Sequence, residues 1–265
     1  MAAAMRWLKQ AFPLSRRAAI VARTVPAKFW FRCALGFSRL QGTTRATSSN
    51  ARLTELLMLD HWLRELTNHG AFPIEQRIHG KEYLDQYAGN GPVVFCSTHL
   101  AMFEVCLRSL VELGQSPVAV AHNGRIVGDQ RFPVVGLQVT LPALQVTHHV
   151  MTQMRSALQG GESVACMADR EYLDTELSSN LLRLAGRLRV PVIFTWAKLG
   201  ADDVFDVMIQ PAPHPYCEDE AAIEENMRFL GKVHGEIRRS LGLDAAHEIL
   251  VPATSEAASP HTAAA

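Results

Sequence analysis

Short runs of apolar and β-branched residues alternate with helical segments through most of the chain after residue 91. This alternation is typical of a mostly parallel sheet flanked by helices, because helices that connect parallel strands cover the faces of the sheet. We therefore predict an α/β fold, and 265 residues, 48% of them apolar, are enough for one sizeable core. The predicted strands cover residues 92–97, 117–121, 162–168, 191–196 and 204–209. The predicted helices cover residues 101–113, 149–158, 180–189 and about 220–241, with Asp219 as a candidate cap of the last one.

Two further segments belong to the predicted domain. Residues 53–66 carry leucines at helical spacing before Gly70 and predict an amphipathic helix that covers the core. Residues 132–154 contain no charged side chain, which indicates either a strand and a helix covered on both sides or part of an apolar groove for a ligand tail. The predicted organisation is a basic segment and linker at 1–52, the α/β domain at 53–250 and a disordered tail at 251–265.

The charges are distributed unevenly, although the formal net charge of the chain is zero. Residues 1–54 hold ten Lys or Arg and no Asp or Glu, so the rest of the chain has 16 basic and 26 acidic residues. Binding of nucleic acid requires basic side chains clustered on the folded surface, which this acidic body does not supply. We expect no nucleic-acid partner, and the basic block indicates either an anionic membrane surface or a targeting sequence.

Residues 28–40 are the most informative part of the basic block. On a helical wheel, Lys28, Arg32 and Arg39 lie together beside a face of aromatic and apolar residues. Such a helix is expected to lie in the headgroup region of a membrane. The alternatives are a helix that packs its aromatic face on the core and an organellar transit peptide. No stretch near the N-terminus reaches the roughly 20 apolar residues of a spanning helix, so residues 1–40 are predicted to bind an anionic membrane peripherally.

The cysteines and the glycine patterns give no sign of a bound cofactor. The five cysteines are far apart and form no CxxC pair, which favours a reducing compartment. The sequence contains neither a GxGxxG nor a GxxxxGK nor an HExxH motif, so we expect no nucleotide cofactor and no metal. Cys96, in a predicted strand, is interpreted as a small buried side chain and not as a nucleophile.

The first candidate for chemistry follows the predicted strand at residues 92–97. His99 lies in the turn that leaves this strand, and Glu104 lies five residues later, near the start of the next helix. In open parallel sheets, ligands bind beyond the carboxyl ends of the strands. A carboxylate that accepts the Nδ1 hydrogen fixes the imidazole tautomer and leaves Nε2 free to take a proton. We predict that His99 and Glu104 form a general-base pair that activates a hydroxyl of a substrate, without a protein nucleophile.

Asp169 and Arg170 are the second candidate, because they follow the predicted strand at residues 162–168. Arg170 has the chemistry to hold a phosphate or the polar end of a substrate. Asp169 has the chemistry to orient Arg170 or to bind a hydroxyl. The alternative interpretation is a surface ion pair in a loop.

The order of these features resembles the lysophospholipid acyltransferase superfamily, and within it most closely the bacterial lipid A late acyltransferases. The HxxxxE motif of this chain is His-Leu-Ala-Met-Phe-Glu at residues 99–104. Residues 78–84 resemble the approach to that motif, and residues 157–169 resemble the helix, Gly turn and strand that follow it. Residues 184–193 resemble a later helix and strand, so the resemblance covers residues 78 to about 210.

This resemblance implies a glycerolipid acyltransferase-like fold and an O-acyltransferase activity. A fatty acyl group would move from a thioester, on acyl carrier protein or coenzyme A, to a hydroxyl of a lipid or glycolipid. The resemblance gives His99 the role of general base and Glu104 that of its orienting partner, with Asp169 and Arg170 near the substrate. Since a thioester is already activated, base assistance and positioning suffice without a metal or a covalent intermediate.

The resemblance also implies a substrate-binding arginine and a membrane location for the protein, and it leaves the acceptor open. An Arg between the two motifs has two candidates here, Arg125 and Arg131. Family members sit on the cytoplasmic face of the bacterial inner membrane through an N-terminal hydrophobic or basic segment, in agreement with the basic block. Two alternatives stay open, namely acylation of a specialised metabolite and a noncatalytic, membrane-associated lipid-binding protein on the same fold.

Overall fold

The computed structural model describes residues 36, 38–40, 51–67, 71–169, 176–200, 202–241 and 243. The predictions for residues 1–35, for Arg170 and for the tail at 251–265 lie outside the described residues.

An eight-stranded mixed sheet lies at the centre of the described part of the chain. Its strands are β1 (Gln76–His79), β2 (Val94–Ser97), β3 (Val118–Ala121), β4 (Arg131–Pro133), β5 (Thr140–Gln145), β6 (Val164–Met167), β7 (Val192–Leu199) and β8 (Phe205–Pro211). They lie in the spatial order β1-β8-β7-β2-β6-β3-β5-β4. The five strands from β7 to β5 in this order are parallel, whereas β8 and β4 pair antiparallel with β7 and β5, and β1 follows the direction of β8.

Helices cover both faces of this sheet. They are α1 (Ala51–Thr67), α2 (Glu82–Tyr87), α3 (Phe103–Glu112), α4 (Val150–Gln159), α5 (Asn180–Leu188) and α6 (Glu220–Ser240). Val94 and Cys96 of β2 belong to the apolar cluster formed with α4, α5 and α6, whereas Phe95 belongs to the cluster formed with α3. Because β2 is buried on both faces, it reads in sequence as a continuous apolar run, as expected for a central parallel strand.

All five predicted strands are present, and so are the predicted helices, with ends that differ by a few residues. Asp219 caps α6, because its side chain accepts a hydrogen bond of 2.8 Å from the backbone N–H of Ala222. The uncharged residues 132–154 form the end of β4, all of β5 and the start of α4, so a strand and a helix are present. They are not covered on both sides, because β5 alternates buried with less buried residues, and Thr152 and Gln153 of α4 are exposed.

The sequence analysis did not predict β1, β4 and α2, and it gave a strand in the region of β5 only as one of two alternatives. The antiparallel pairs of the sheet were therefore not predicted. β1 is an edge strand with the polar sequence Gln-Arg-Ile-His, while β4 and β5 each contain a proline, which is unfavourable in a central strand. β7 and β8 are antiparallel because residues 200–204 are too short for the crossover that a parallel pair needs. The antiparallel pairs lie at the two ends of the sheet, so its centre is parallel, as predicted.

Candidate active site

His99 lies where the central strand β2 ends. The chain leaves β2 through Thr98 and forms a single 3-10 turn at His99–Ala101. Met102 follows with a φ of 48°, in the left-handed region that a non-glycine residue rarely occupies, and α3 begins immediately after it. The imidazole side chain is 12% exposed, so most of it is surrounded by protein while part of it still reaches the surface.

Asp169 holds both the backbone and the ring of His99. Its Oδ1 lies 3.0 Å from Nδ1 of His99, and both of its carboxylate oxygens lie 3.0 Å from the backbone N–H of His99, which donates to them. The Asp169 side chain is completely buried. The register of the sheet explains the contact, because β2 and β6 are adjacent parallel strands that pair Ser97 with Met167, and His99 and Asp169 each lie two residues further on.

This pair has the chemistry of a general base. When Asp169 accepts the hydrogen on Nδ1, the neutral ring carries its lone pair on Nε2, which is then the nitrogen that takes a proton. The buried carboxylate stabilises the imidazolium that results. The pair therefore supplies a basic Nε2 at the carboxyl edge of a parallel sheet, where ligands bind in open α/β folds.

Glu104 has different partners from those expected. Its Oε1 forms an ion pair of 3.1 Å with Nε of Arg64 in α1 and a second ion pair with the guanidinium of Arg125. Arg64 in turn pairs with Asp60. The prediction that Glu104 orients His99 is corrected, since the carboxylate at Nδ1 is that of Asp169. Glu104 is engaged by two arginines, whereas the register of β2 and β6 places Asp169 next to the ring of His99.

The remaining predicted site residues have different surroundings in the structure. Arg125 is partly exposed, lies over the ring of Phe132 at 5.6 Å and is held by Glu104. Arg131 lies on the edge strand β4 and is exposed. The prediction that Asp169 binds substrate is corrected, because its buried carboxylate is used by His99. Arg170 is outside the described residues.

No family model matches the sequence. No curated protein matches it either. Among solved structures, the chain is similar to the 1-acyl-sn-glycerophosphate (LPA) acyltransferase PlsC from Thermotoga maritima, at 12% sequence identity and a TM-score of 0.45. That match covers 77% of this chain and 88% of the other.

Two contacts near His99 were not predicted from the sequence. His234 of α6 is fully buried, and its Nδ1 lies 3.2 Å from the hydroxyl of Thr98, next to His99. Arg64 of α1 pairs with Glu104. A signal for His234 existed, because it shares a helical face with the buried Leu230 and Ile237. No local signal existed for Arg64, since it reaches Glu104 from a helix 40 residues earlier.

The structure confirms the interpretation of Cys96 as a small buried side chain. It is fully buried, and burial raises the pKa of its thiol well above the ordinary value of 9.0. The thiolate that a nucleophile needs is therefore scarce near neutral pH. No group of three or more His, Cys, Asp or Glu in the described part of the chain is arranged to hold a metal ion.

Proposed function

We propose that this protein transfers a fatty acyl group from a thioester to a hydroxyl of a lipid or glycolipid, with His99 as general base. The observation that carries the proposal is the buried Asp169 carboxylate at Nδ1 of a partly exposed His99. The pair lies at the carboxyl edge of a parallel sheet, which is the position of ligand sites in open α/β folds. The motif order described for residues 78–210 supports the same reaction class, with acyl carrier protein or coenzyme A as carrier of the thioester.

The proposed step needs no protein nucleophile and no added redox partner. Nε2 of His99 takes the proton of the acceptor hydroxyl as the oxygen attacks the thioester carbonyl carbon. The tetrahedral intermediate collapses with cleavage of the C–S bond, and the imidazolium returns the proton to the departing thiolate. The products are an ester and a free thiol, so atoms, electrons and charge balance. Asp169 stabilises the imidazolium between the two proton transfers.

Glu104 and Arg125 take a binding role in this proposal. Arg125 is a cation whose position is set by Glu104, and its side chain is 22% exposed. A guanidinium fixed in this way is suited to an anionic group of the acceptor or donor. Glu104 thereby positions Arg125, while Asp169 positions His99.

Purified protein given an acyl thioester with a labelled acyl group and a bacterial lipid extract tests the proposal. We expect labelled lipid with the parent protein and none above background with His99→Ala, while the circular dichroism spectra coincide. His61→Ala is the matched control, because His61 is an exposed histidine on α1, and its labelling should equal that of the parent. Equal labelling by His99→Ala and the parent would overturn the assignment of His99, and absence of labelling in all three would favour a noncatalytic lipid-binding protein.

We also propose that residues 1–40 bind the anionic cytoplasmic face of the bacterial inner membrane. Residues 1–35 carry seven Lys or Arg without an acidic residue, and each base near an anionic surface contributes about 1 kcal/mol. Arg39 is excluded from this sum, because it pairs with Glu55 at 3.2 Å and with Asp203. In the part of the chain that the structure describes, no helix has the length and apolar character required to cross a bilayer.

A truncation that removes residues 1–35 tests this second proposal while it keeps Arg39 and its ion pairs. We expect the parent to sediment with vesicles that contain phosphatidylglycerol, and the truncated protein to stay in the supernatant. Vesicles of phosphatidylcholine alone are the control, because they lack the anionic headgroup. Equal sedimentation of both proteins with the anionic vesicles would show that another surface carries the binding.

A further inference from the structure

A groove separates α4 from α5 on the sheet face opposite α3. It has a volume of about 250 Å³ and is lined by Met151, Thr152, Arg155, Asn180, Arg183, Leu184 and Arg187. We call it the arginine groove. Three of its lining side chains are guanidinium groups, two others are hydrogen-bonding and two are apolar, so it is suited to an anionic group attached to an organic body.

The charge of the arginine groove contrasts with that of the chain around it. Neither α4 nor α5 contains an Asp or a Glu, although acidic residues outnumber basic ones 26 to 16 after residue 54. Arg183 pairs with Glu220 at 2.8 Å. Arg155 and Arg187 have no ion-pair partner among the described residues, and both are exposed. The groove therefore keeps two positive charges without an ion-pair partner among the described residues, in a part of the chain that is acidic overall.

The groove begins at the carboxyl end of the parallel strands, the same end of the sheet at which His99 lies. Met151 and Thr152 lie in the first turn of α4, which follows β5, and β5 runs in the same direction as β2 and β6. At the other wall, the backbone N–H of Ser178 donates to the carbonyl of Ala168 at 2.8 Å, two residues before α5 begins. Ala168 is the neighbour of Asp169, so the start of α5 is tied to the residue that holds His99.

The size and chemistry of the groove indicate which part of a molecule it holds. Sites that enclose a whole drug-sized ligand have volumes of roughly 300–1,000 Å³, so this groove suits one end of a longer molecule. Guanidinium groups bind phosphate through paired hydrogen bonds, and all the bases here are arginines. Both thioester carriers of the proposed function, coenzyme A and acyl carrier protein, attach the acyl group through a phosphopantetheine arm, which bears a phosphate.

We propose that the arginine groove binds the phosphate of the phosphopantetheine arm of the acyl donor through Arg155 and Arg187, while Arg183 is held by its ion pair with Glu220. This assignment rests on the proposed function for the identity of the ligand, whereas the binding of an organic phosphate does not. The phosphate would then lie inside the groove at Arg155 and Arg187, and the flexible arm would extend past Met151 and Thr152 toward the carboxyl end of the sheet, where His99 lies.

Isothermal titration of the full chain with phosphopantetheine, pantetheine and coenzyme A tests the proposal. We expect phosphopantetheine and coenzyme A to bind, and pantetheine to bind at least about tenfold more weakly, because it lacks the phosphate that makes the charge-assisted hydrogen bonds. The double variant Arg155→Gln/Arg187→Gln should weaken the first two ligands by about tenfold or more and leave pantetheine unchanged. Both arginines are exposed, so their substitution leaves the core intact.

A matched control separates the groove from the overall charge of the protein. Arg228→Gln/Arg239→Gln removes the same two charges from exposed positions of α6, outside the groove, and should bind all three ligands as the parent does. Equal binding of phosphopantetheine to the groove variant and the parent would overturn the proposal. Binding of phosphatidic acid vesicles, without binding of phosphopantetheine or coenzyme A, would overturn it as well, since the phosphate would then come from a lipid headgroup.

The result of the binding experiment does not depend on whether the protein catalyses acyl transfer. His99→Ala protein should bind phosphopantetheine as tightly as the parent, because His99 takes no part in the groove. If binding is found but no acyl transfer occurs, the groove stands as an organic phosphate site and the proposed reaction fails. If transfer occurs without phosphate-dependent binding, the groove assignment fails and the reaction stands.

Discussion

At the scale of single residues, the carboxylate that the HxxxxE motif places near His99 is not the one that contacts it. The motif spacing brings Glu104 to the start of α3, but Arg64 and Arg125 take up its charge. Asp169, 70 residues from His99 along the chain, is the carboxylate that meets the imidazole ring and the backbone N–H of His99. The two carboxylates therefore have separable roles, one at the base and one at a binding arginine.

Asp169→Asn and Glu104→Gln should change different kinetic parameters when acyl transfer is measured under saturating thioester. Asp169→Asn should lower kcat by about 10²- to 10⁴-fold with little change in KM, because a neutral amide does not stabilise the imidazolium. Glu104→Gln should mainly raise KM, because it releases Arg125. Steady-state kinetics measure both, with circular dichroism to verify folding. The opposite pattern, with kcat lost in Glu104→Gln and kept in Asp169→Asn, would return the orienting role to Glu104.

At the scale of elements, close backbone approaches decide where strands and helices meet. Gly80 connects β1 to α2 with a φ of 79°, and a Cβ placed there would lie 1.9 Å from the carbonyl oxygen of Ile209 in β8. Gly114, after α3, has a similar φ of 83°, with no atom within 4 Å of a Cβ at that position. Both glycines favour the left-handed backbone, but only Gly80 also lies against another strand.

Alanine at these two glycines separates the two effects. Gly114→Ala should destabilise the protein by about 1–2 kcal/mol, the usual cost of a left-handed backbone for a residue with a Cβ. Gly80→Ala should cost about 1–3 kcal/mol more, because β8 must shift to make room. Urea unfolding followed by circular dichroism measures the difference. Equal destabilisation by the two variants would show that Gly80 does not lie against the carbonyl of Ile209.

At the scale of the whole molecule, ion pairs at the β1–β8 end join distant parts of the chain. Arg77 of β1 contacts Asp206 of β8 at 2.8 Å and Asp202 at 2.7 Å. Its hydrogen bonds hold the pKa values of both carboxyl groups below their ordinary value of 3.8. Nearby, Arg39 pairs with Glu55 of α1 and with Asp203, so residues 38–40 are attached to the same end of the sheet.

The pH dependence of stability should reveal the Arg77 contacts. A carboxyl group with a lowered folded-state pKa stabilises the fold above its unfolded-state pKa, and the stabilisation is lost as the pH falls through the folded-state pKa. Arg77→Gln should therefore be less stable than the parent at pH 7, and the difference should shrink below pH 3.8. Urea unfolding across this pH range measures the difference. A constant difference at all pH values would show that these carboxylates do not contribute through Arg77.

Periodicity and local spacing in the sequence were sufficient for the α/β class, the five strands of clear apolar character and the helices between them. They were also sufficient to place His99 and Asp169 at the ends of two strands, because an end of an apolar run is a local property. The short strands β1 and β4 were not predictable in this way, and β5 was only one of two alternatives for its segment, since pairing with neighbours stabilises these strands.

Which side chains meet was decided only by the tertiary structure. The sequence by itself determined that an imidazole and two carboxylates lie near the carboxyl edge of a sheet. The adjacency and register of β2 and β6 place Asp169 next to His99. The positions of α1 and of the turn after β3 bring Arg64 and Arg125 into ion pairs with Glu104. Contacts between strands and helices far apart in the chain depend on how whole elements pack, and no local pattern of residues specifies that packing.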